Sequence, residues 1–179
     1  MKAWFRSMIQ WANVIALLFA AFQTSPVFAA ESRFVTVALT TDGTAHVAGD
    51  VVGGKQTFPN IVCGTPTTTG FATGVLIPDK DDVNAAFDLY LFNTEPGAIA
   101  DNAAFDPTDA ENENITAVIH LDATNNRFSA VDNGIHTIGS LSVPVQGSGD
   151  GTLWGFLVTR SNGTFGASAL KLKVSVACD

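Results

Sequence analysis

Along most of the chain, apolar and polar positions alternate with a period of two. Phe87, Leu89 and Leu91 alternate with Asp88, Tyr90 and Phe92, and Ile115, Ala117, Ile119 and Leu121 alternate with Thr116, Val118, His120 and Asp122. At the C-terminus Leu170, Leu172, Val174 and Val176 face one way while Lys171, Lys173 and Ser175 face the other. A period of two places successive side chains on opposite faces of a strand, so these runs predict half-buried antiparallel strands. Further strands are predicted at Arg33–Leu39, His46–Val52, Phe71–Ile77, Phe128–Val131, Ile135–Val145 and Leu153–Arg160.

Turn signals punctuate these runs: Asp42-Gly43, Gly53-Gly54, Asn133-Gly134, the stretch Gly147 to Gly151, and Asn162-Gly163. Asn133-Gly134 and Asn162-Gly163 are short-hairpin markers, because Asn and Gly tolerate positive φ. Only Pro107–Asn114 can hold a helical turn, with Asp106 as the expected cap and Asp109 and Glu111 near the positive end of the dipole. Eight to nine short strands with regular punctuation predict an all-β chain, a single antiparallel β-sandwich of jelly-roll or immunoglobulin-like type. The strands are too short and too rich in turn residues for an outer-membrane barrel with its apolar band.

The first 29 residues read as a signal peptide. Lys2 and Arg6 form a positive start, an apolar run extends from Val14 to Phe22, and Val27-Phe28-Ala29 offers a cleavage site, with a cut after Ala30 as the alternative. Gln23 to Pro26 interrupt the run before it reaches the roughly 20 residues of a spanning helix. The expected product is a sandwich domain at 30–179 that is exported, to the periplasm, the medium or a surface. Loss of Lys2 and Arg6 takes the formal net charge from −8 to −10. Nucleic-acid binders need clustered cations to displace counterions, and anionic lipid heads repel an acidic surface, so neither is an expected partner.

Both cysteines, Cys63 and Cys178, fall in the mature part. An even pair in an oxidising compartment is expected to be bridged. Cys178 shares the parity of Val174 and Val176, which points its sulfur inward. Two cysteines cannot supply a four-ligand zinc site, and no C-x-x-C redox motif is present.

A set of ordered blocks adds a likeness. Ala48-Gly49-Asp50-Val51-Val52-Gly53-Gly54 is followed by Gly74 to Asp81, Phe87-Asp88-Leu89-Tyr90-Leu91-Phe92, Ile99 to Phe105, Leu153 to Arg160 and Ala169-Leu170-Lys171-Leu172. In this order and spacing they resemble a family of small tailed-phage proteins regarded as virion structural or decoration-type proteins. The resemblance covers nearly the whole mature chain and implies a surface protein that assembles with other proteins. The leader and the cysteine pair depart from the family, whose head proteins assemble in the cytoplasm. The fold therefore carries over more readily than the setting.

No catalytic constellation stands out. His46, His120 and His136 all lie in predicted strands. His120 and His136 take positions of polar parity, which reads as ordinary surface or satisfied histidines rather than members of a Ser-His-carboxylate set. There is no G-x-S-x-G elbow, H-E-x-x-H or Walker A motif, and Ser148 between Gly147 and Gly149 lacks a strand-to-helix context. The carboxylates needed for glycoside hydrolysis are present, but spacing pairs none of them. The expectation is therefore a protein without enzymatic activity and without a cofactor.

Asp79, Asp81 and Asp82 are weak calcium candidates, since hard oxygen ligands on a strand-end loop suit that ion. Trp154 shares parity with Phe156 and Val158 and is expected in the core, which argues against an exposed sugar-binding platform. A binding module for carbohydrate, or one stabilised by calcium, is the alternative function. Partner contacts are expected on the polar stretches Asp79–Asn84 and Asn93–Asn114, because loops carry contacts in such sandwiches.

Overall fold

The computed structural model describes residues 31–63, 69–130, 132–167 and 169–178. The expected leader lies outside them. Eleven strands and one helical turn follow in order: β1 (Ser32–Ala38), β2 (Ala45–His46), β3 (Val51–Phe58), β4 (Thr69–Asp79), β5 (Phe87–Phe92), α1 (Asp109–Asn112), β6 (Ile115–Leu121), β7 (Arg127–Ala130), β8 (Asn133–Gln146), β9 (Leu153–Thr159), β10 (Gly163–Thr164) and β11 (Lys171–Cys178).

Two antiparallel sheets stack as a β-sandwich. One has the order β1-β11-β4-β8-β7 and the other β3-β9-β5-β6, while β2 and β10 form a separate two-stranded ribbon. The pairings nest. β5 pairs with β6, β4 with β8, β3 with β9 and β1 with β11. Nested pairs of this kind arise when one long antiparallel ribbon is rolled across two sheets, which is the jelly-roll arrangement and not the immunoglobulin one.

The period-two pattern supplies the interior. Val75 and Ile77 from β4 and Leu172, Val174 and Val176 from β11 meet Leu89 and Leu91 from β5 and Leu153 and Leu157 from β9 in one buried cluster. Cys178 at the end of β11 is disulfide-bonded to Cys63 beyond β3, with Cα atoms 5.3 Å apart and 115 residues between them. The bond thus joins the two sheets at one end of the sandwich. In the chain-entropy account such a closure is worth at most about 4–5 kcal/mol.

Several local expectations change. Gly53 and Gly54 are not an inter-strand turn but sit inside β3, with φ of 77° and 72°, where the register with β9 shifts between Val52 and Gln56. That is a β-bulge, and glycine is needed because a Cβ on Gly53 would approach the Leu39 Cβ at 2.7 Å. The single strand expected at His46–Val52 is divided by a turn in which the Asp50 carboxylate accepts from the Val47 N–H at 2.7 Å.

Ala130 pairs with Asn133, so the β7–β8 reversal precedes Asn133-Gly134, and it is Asp132 that has φ 66°. Asn162-Gly163 leads into β10, which pairs with β2 and not with β9. The cap of α1 is Thr108, not Asp106: Thr108 and Glu111 form a reciprocal capping box, the T-x-x-E signature that a search for aspartate passes over.

Candidate functional site

The outer face of the sheet β1-β11-β4-β8-β7 is open. Because side chains alternate, the residues opposite the core in each strand form rows across it. Phe34 on β1 aligns with Ser175 on β11, Gly74 on β4 and Gly139 on β8. Pro78, Ile135 and Phe128 align in another row, and Phe71 stands beside Ala177 and Pro144. Phe34 is 74% exposed and Phe128 64%, and Phe71 and Ile135 are exposed as well. Such side chains scattered singly are ordinary; here four lie on one sheet face, set among outward Thr36, Ser175, Lys173 and Gly139.

Two further properties single this face out. Lys171 and Lys173 point outward from β11, and among the described residues the five strands place no Asp or Glu there, in a chain with 17 acidic residues. The middle of the face is hollow. Gly74 and Gly139 are direct partners, and without side chains they leave a shallow groove of about 430 Å³ walled by Phe34, Leu76, Thr137 and Lys173. A Cβ on Gly139 would meet nothing within 4 Å, so no packing constraint requires glycine at that position.

The outer face of the other sheet is covered. The segment 93–114, expected as a free contact loop, folds back over β5 and β9. There Phe92, Phe156, Val51 and Val158 form a second buried cluster with Tyr90, Ile99, Phe105, Ile115 and Trp154 packed against it. Asp101 anchors this cover. Its carboxylate accepts from the Gly53 N–H at 2.7 Å and the Asp42 N–H at 2.8 Å, and lies 3.0 Å from Nε2 of the buried His46. Trp154 is therefore half-buried on the outer side of β9 and not in the inter-sheet core, as its parity with Phe156 and Val158 requires once those two are seen to face outward.

The three calcium candidates part company. Asp79 is buried and accepts from the N–H groups of Asp81 and Val83, and burial pushes its carboxyl above the ordinary range. Asp81 accepts from the Gly166 N–H at 2.6 Å, and Asp82 pairs with Arg127. Each carboxylate has its own local partner. Among the described residues no group of three or more His, Cys, Asp or Glu side chains is placed to hold a metal ion.

The histidines also diverge from a common surface role. His136, expected on a polar face, points into the core edge-on to Phe87. It is fully buried with neither ring nitrogen hydrogen-bonded, and its Nε2 lies 4.0 Å from Asp79, too far for a hydrogen bond. Desolvation, then the charge of Arg127, lowers its pKa. His120 is exposed, and its Nδ1 is 2.5 Å from the carboxylate of Asp88. Among the described residues no hydroxyl or thiol is hydrogen-bonded to His120, so it forms no nucleophile–base pair. Ser148 is spent in a local turn with Asp150 and Thr152.

No protein-family model matches the chain, and no curated protein matches it. Among solved structures it is similar to tomato aspermy virus, at 10% identity over 93% of each chain with a TM-score of 0.37. It is also similar to infectious bursal disease virus, Gx strain, at 13% identity and a TM-score of 0.34. That second overlap takes in 83% of this chain and only 32% of the viral one. Overlaps of this quality carry no inference about function.

Proposed function

We propose that this protein is a non-enzymatic structural and interaction protein of the virion-shell type, exported and displayed on a particle or cell surface, that docks through the outer face of its five-stranded sheet. The observation that carries the reading is that face: a glycine-floored groove edged by Phe34 and Lys173, with Phe71, Phe128, Ile135 and Lys171 elsewhere on the same face and no carboxylate, on an otherwise acidic molecule. The occupant that fits is the acidic surface of a second copy, for instance the exposed carboxylates of Asp106, Asp109 and Glu113 in the segment 93–114. A contact between two different patches is heterologous, and it propagates into rings or arrays as a shell component requires. Charge complementarity would steer the encounter and apolar burial would hold it.

The resemblance of the ordered blocks to those of tailed-phage virion proteins supports the same reading. The jelly-roll topology is compatible with it but decides nothing, since the same sandwich also serves lectins and cupins. Sedimentation of the purified protein over a range of concentrations tests the proposal. Wild type is expected to associate, less so at high salt. Lys171→Glu with Lys173→Glu, and separately Gly139→Gln, should shift it to monomer without moving the melting temperature. A wild type that stays monomeric at every concentration overturns the self-docking reading.

A further inference from the structure

On the opposite side of the sandwich, where the segment 93–114 meets β5, a cleft of about 340 Å³ opens between Ala48, Tyr90, Phe105 and Arg160. Its size falls at the lower end of small-molecule sites. Its floor is Asp88, only 2% exposed. Both oxygens of Asp88 are spent: Oδ1 on His120 Nδ1 and Oδ2 on Arg160 Nη1, each at 2.5 Å. A buried carboxylate already saturated with donors has little left to offer a cation, so its role is to hold those two side chains in place. Arg160 is 57% exposed, and among the described residues its only side-chain partner is Asp88, so donors of its fork remain for a ligand.

The wall beside it is aromatic. The rings of Tyr90 and Phe105 lie 4.3 Å apart at 34°, and Tyr90 is half-buried. Burial, then the charge of Asp88, raises the tyrosine pKa, so the phenol stays a neutral donor beside the ring face. Unused donors in a planar fork match a carboxylate, which guanidinium groups bind in a bidentate manner. The paired rings of Tyr90 and Phe105 beside them give an aromatic wall that matches a ring with axial C–H groups.

We infer that this cleft binds a small acidic sugar, a carboxylate-bearing pyranose of the hexuronic class, with the carboxylate on Arg160 and the C–H face of the ring on Tyr90. The net charge of the chain opposes any anion at long range, but at physiological ionic strength that field is screened beyond about 8 Å. Contact geometry then dominates. Asp88 pre-orders the fork before the ligand arrives, which removes part of the ordering cost of binding. The cleft lies across the sandwich from the lysine-bearing face. Although Asp106 of the acidic surface follows Phe105 of the cleft, sugar titration and sedimentation read the two assignments separately, so either can fail while the other stands.

The test is an NMR titration of the purified, isotope-labelled protein with glucuronate, set beside glucose, acetate and benzoate. Saturable shifts confined to Tyr90, Phe105 and Arg160 are expected with glucuronate, with glucose at least about tenfold weaker, the loss of one charge-assisted contact. Arg160→Gln should weaken binding by a similar factor. Because that variant disturbs the partners of Asp88, Ala48→Glu is the second: it sets a carboxylate on the exposed rim of the same cleft, where it repels the ligand and competes for the free donors of Arg160, and it leaves Asp88 and His120 in place. Loss of glucuronate binding in Ala48→Glu, with wild-type melting, supports the assignment. Equal shifts with acetate or benzoate, or undiminished glucuronate binding in either variant, overturn it.

Discussion

The two outer faces of this sandwich are built from the same alternating strands and end up opposite in character. On β1-β11-β4-β8-β7 the outward residues stay in water, so β1 alternates between exposed and half-buried along its length. On β3-β9-β5-β6 the chain supplies its own cover, so five of the six residues of β5 are buried, on both faces. A sheet face that a protein needs closed for its own stability is closed from within. A face left open, with exposed aromatics and lysines and no carboxylate, is available to something else. The covered face costs stability when cut, whereas the open one should cost association.

The largest effect should follow from breaking the cover. Phe156 is fully buried outside the main core, edge-on to Phe92 at 5.9 Å between centroids. Phe156→Ala should therefore destabilise by about 3–5 kcal/mol, the range for truncating a buried aromatic and leaving a cavity. Chemical denaturation would measure it. A loss below about 1 kcal/mol would mean that the segment 93–114 is a loose flap, and the contrast between the faces would fail. Trp154→Ala, at a half-buried position of the same cluster, should cost less than Phe156→Ala.

How much of this was legible in the sequence follows from the same contrast. Strand identity and extent were readable where one face is wet, as in β6 and β11, because the alternation is then visible. It was also readable that Cys178 points inward. β5 and β9 were also readable as strands, at Phe87–Phe92 and Leu153–Thr159, but the state of their outer face was not, because Tyr90, Phe92, Trp154 and Phe156 stand on the outward parity. Those aromatics are the signal that a second layer covers the sheet, and without that layer the parity of Trp154 with Phe156 and Val158 points to the inter-sheet core, the wrong side. Phe34 and Phe71 share the polar parity of their own strands, which is how the open face could have been found. The nesting of strands, the bulge at Gly53-Gly54 and the joining of Asp88 to Arg160 are long-range consequences of topology. Residues 72 positions apart in sequence carry no local mark of their pairing.

A smaller effect, confined to one side, concerns the two histidines. His136 lies under the open sheet and His120 stands on the outside of the other. The groups around His136 are Asp79, Asp82 and Arg127. Its folded pKa lies below the ordinary 6.5, so the unfolded chain binds the proton more readily. Its contribution to stability is complete above pH 6.5 and is lost as the pH falls below it. Asp79 has the opposite sign. Its folded pKa is raised above 3.8, so it favours the folded state in acid and that contribution fades as the pH rises through its folded value. The surface carboxylates with lowered pKa, Asp42, Glu111, Asp122 and Asp150, start from ordinary values of 4.5 or less. Their contributions are lost below the window that matters for His136. Between pH 6.5 and about 5 the wild-type melting temperature should therefore fall relative to that of His136→Phe, a comparison from which the opposite contribution of Asp79 cancels. A parallel decline in both proteins would show that His136 does not govern this range.

The smallest effect on stability should come from the open face. Phe34 makes few contacts that folding requires, and its partners across the sheet, Ser175, Gly74 and Gly139, offer almost no side chain to pack on. Surface substitutions away from such contacts usually stay within about 0.5 kcal/mol. Phe34→Ser together with Phe128→Ser should fall within that margin by thermal or chemical denaturation. Removing two large apolar side chains from a contact surface should nonetheless weaken its docking, since burial of such groups is a main source of affinity. The diagnostic result is an unchanged melting temperature paired with lost self-association in sedimentation. If instead the double variant loses several kcal/mol and remains as associated as wild type, the aromatics of this sheet support the fold. The open face would then be only a thinner version of the covered one.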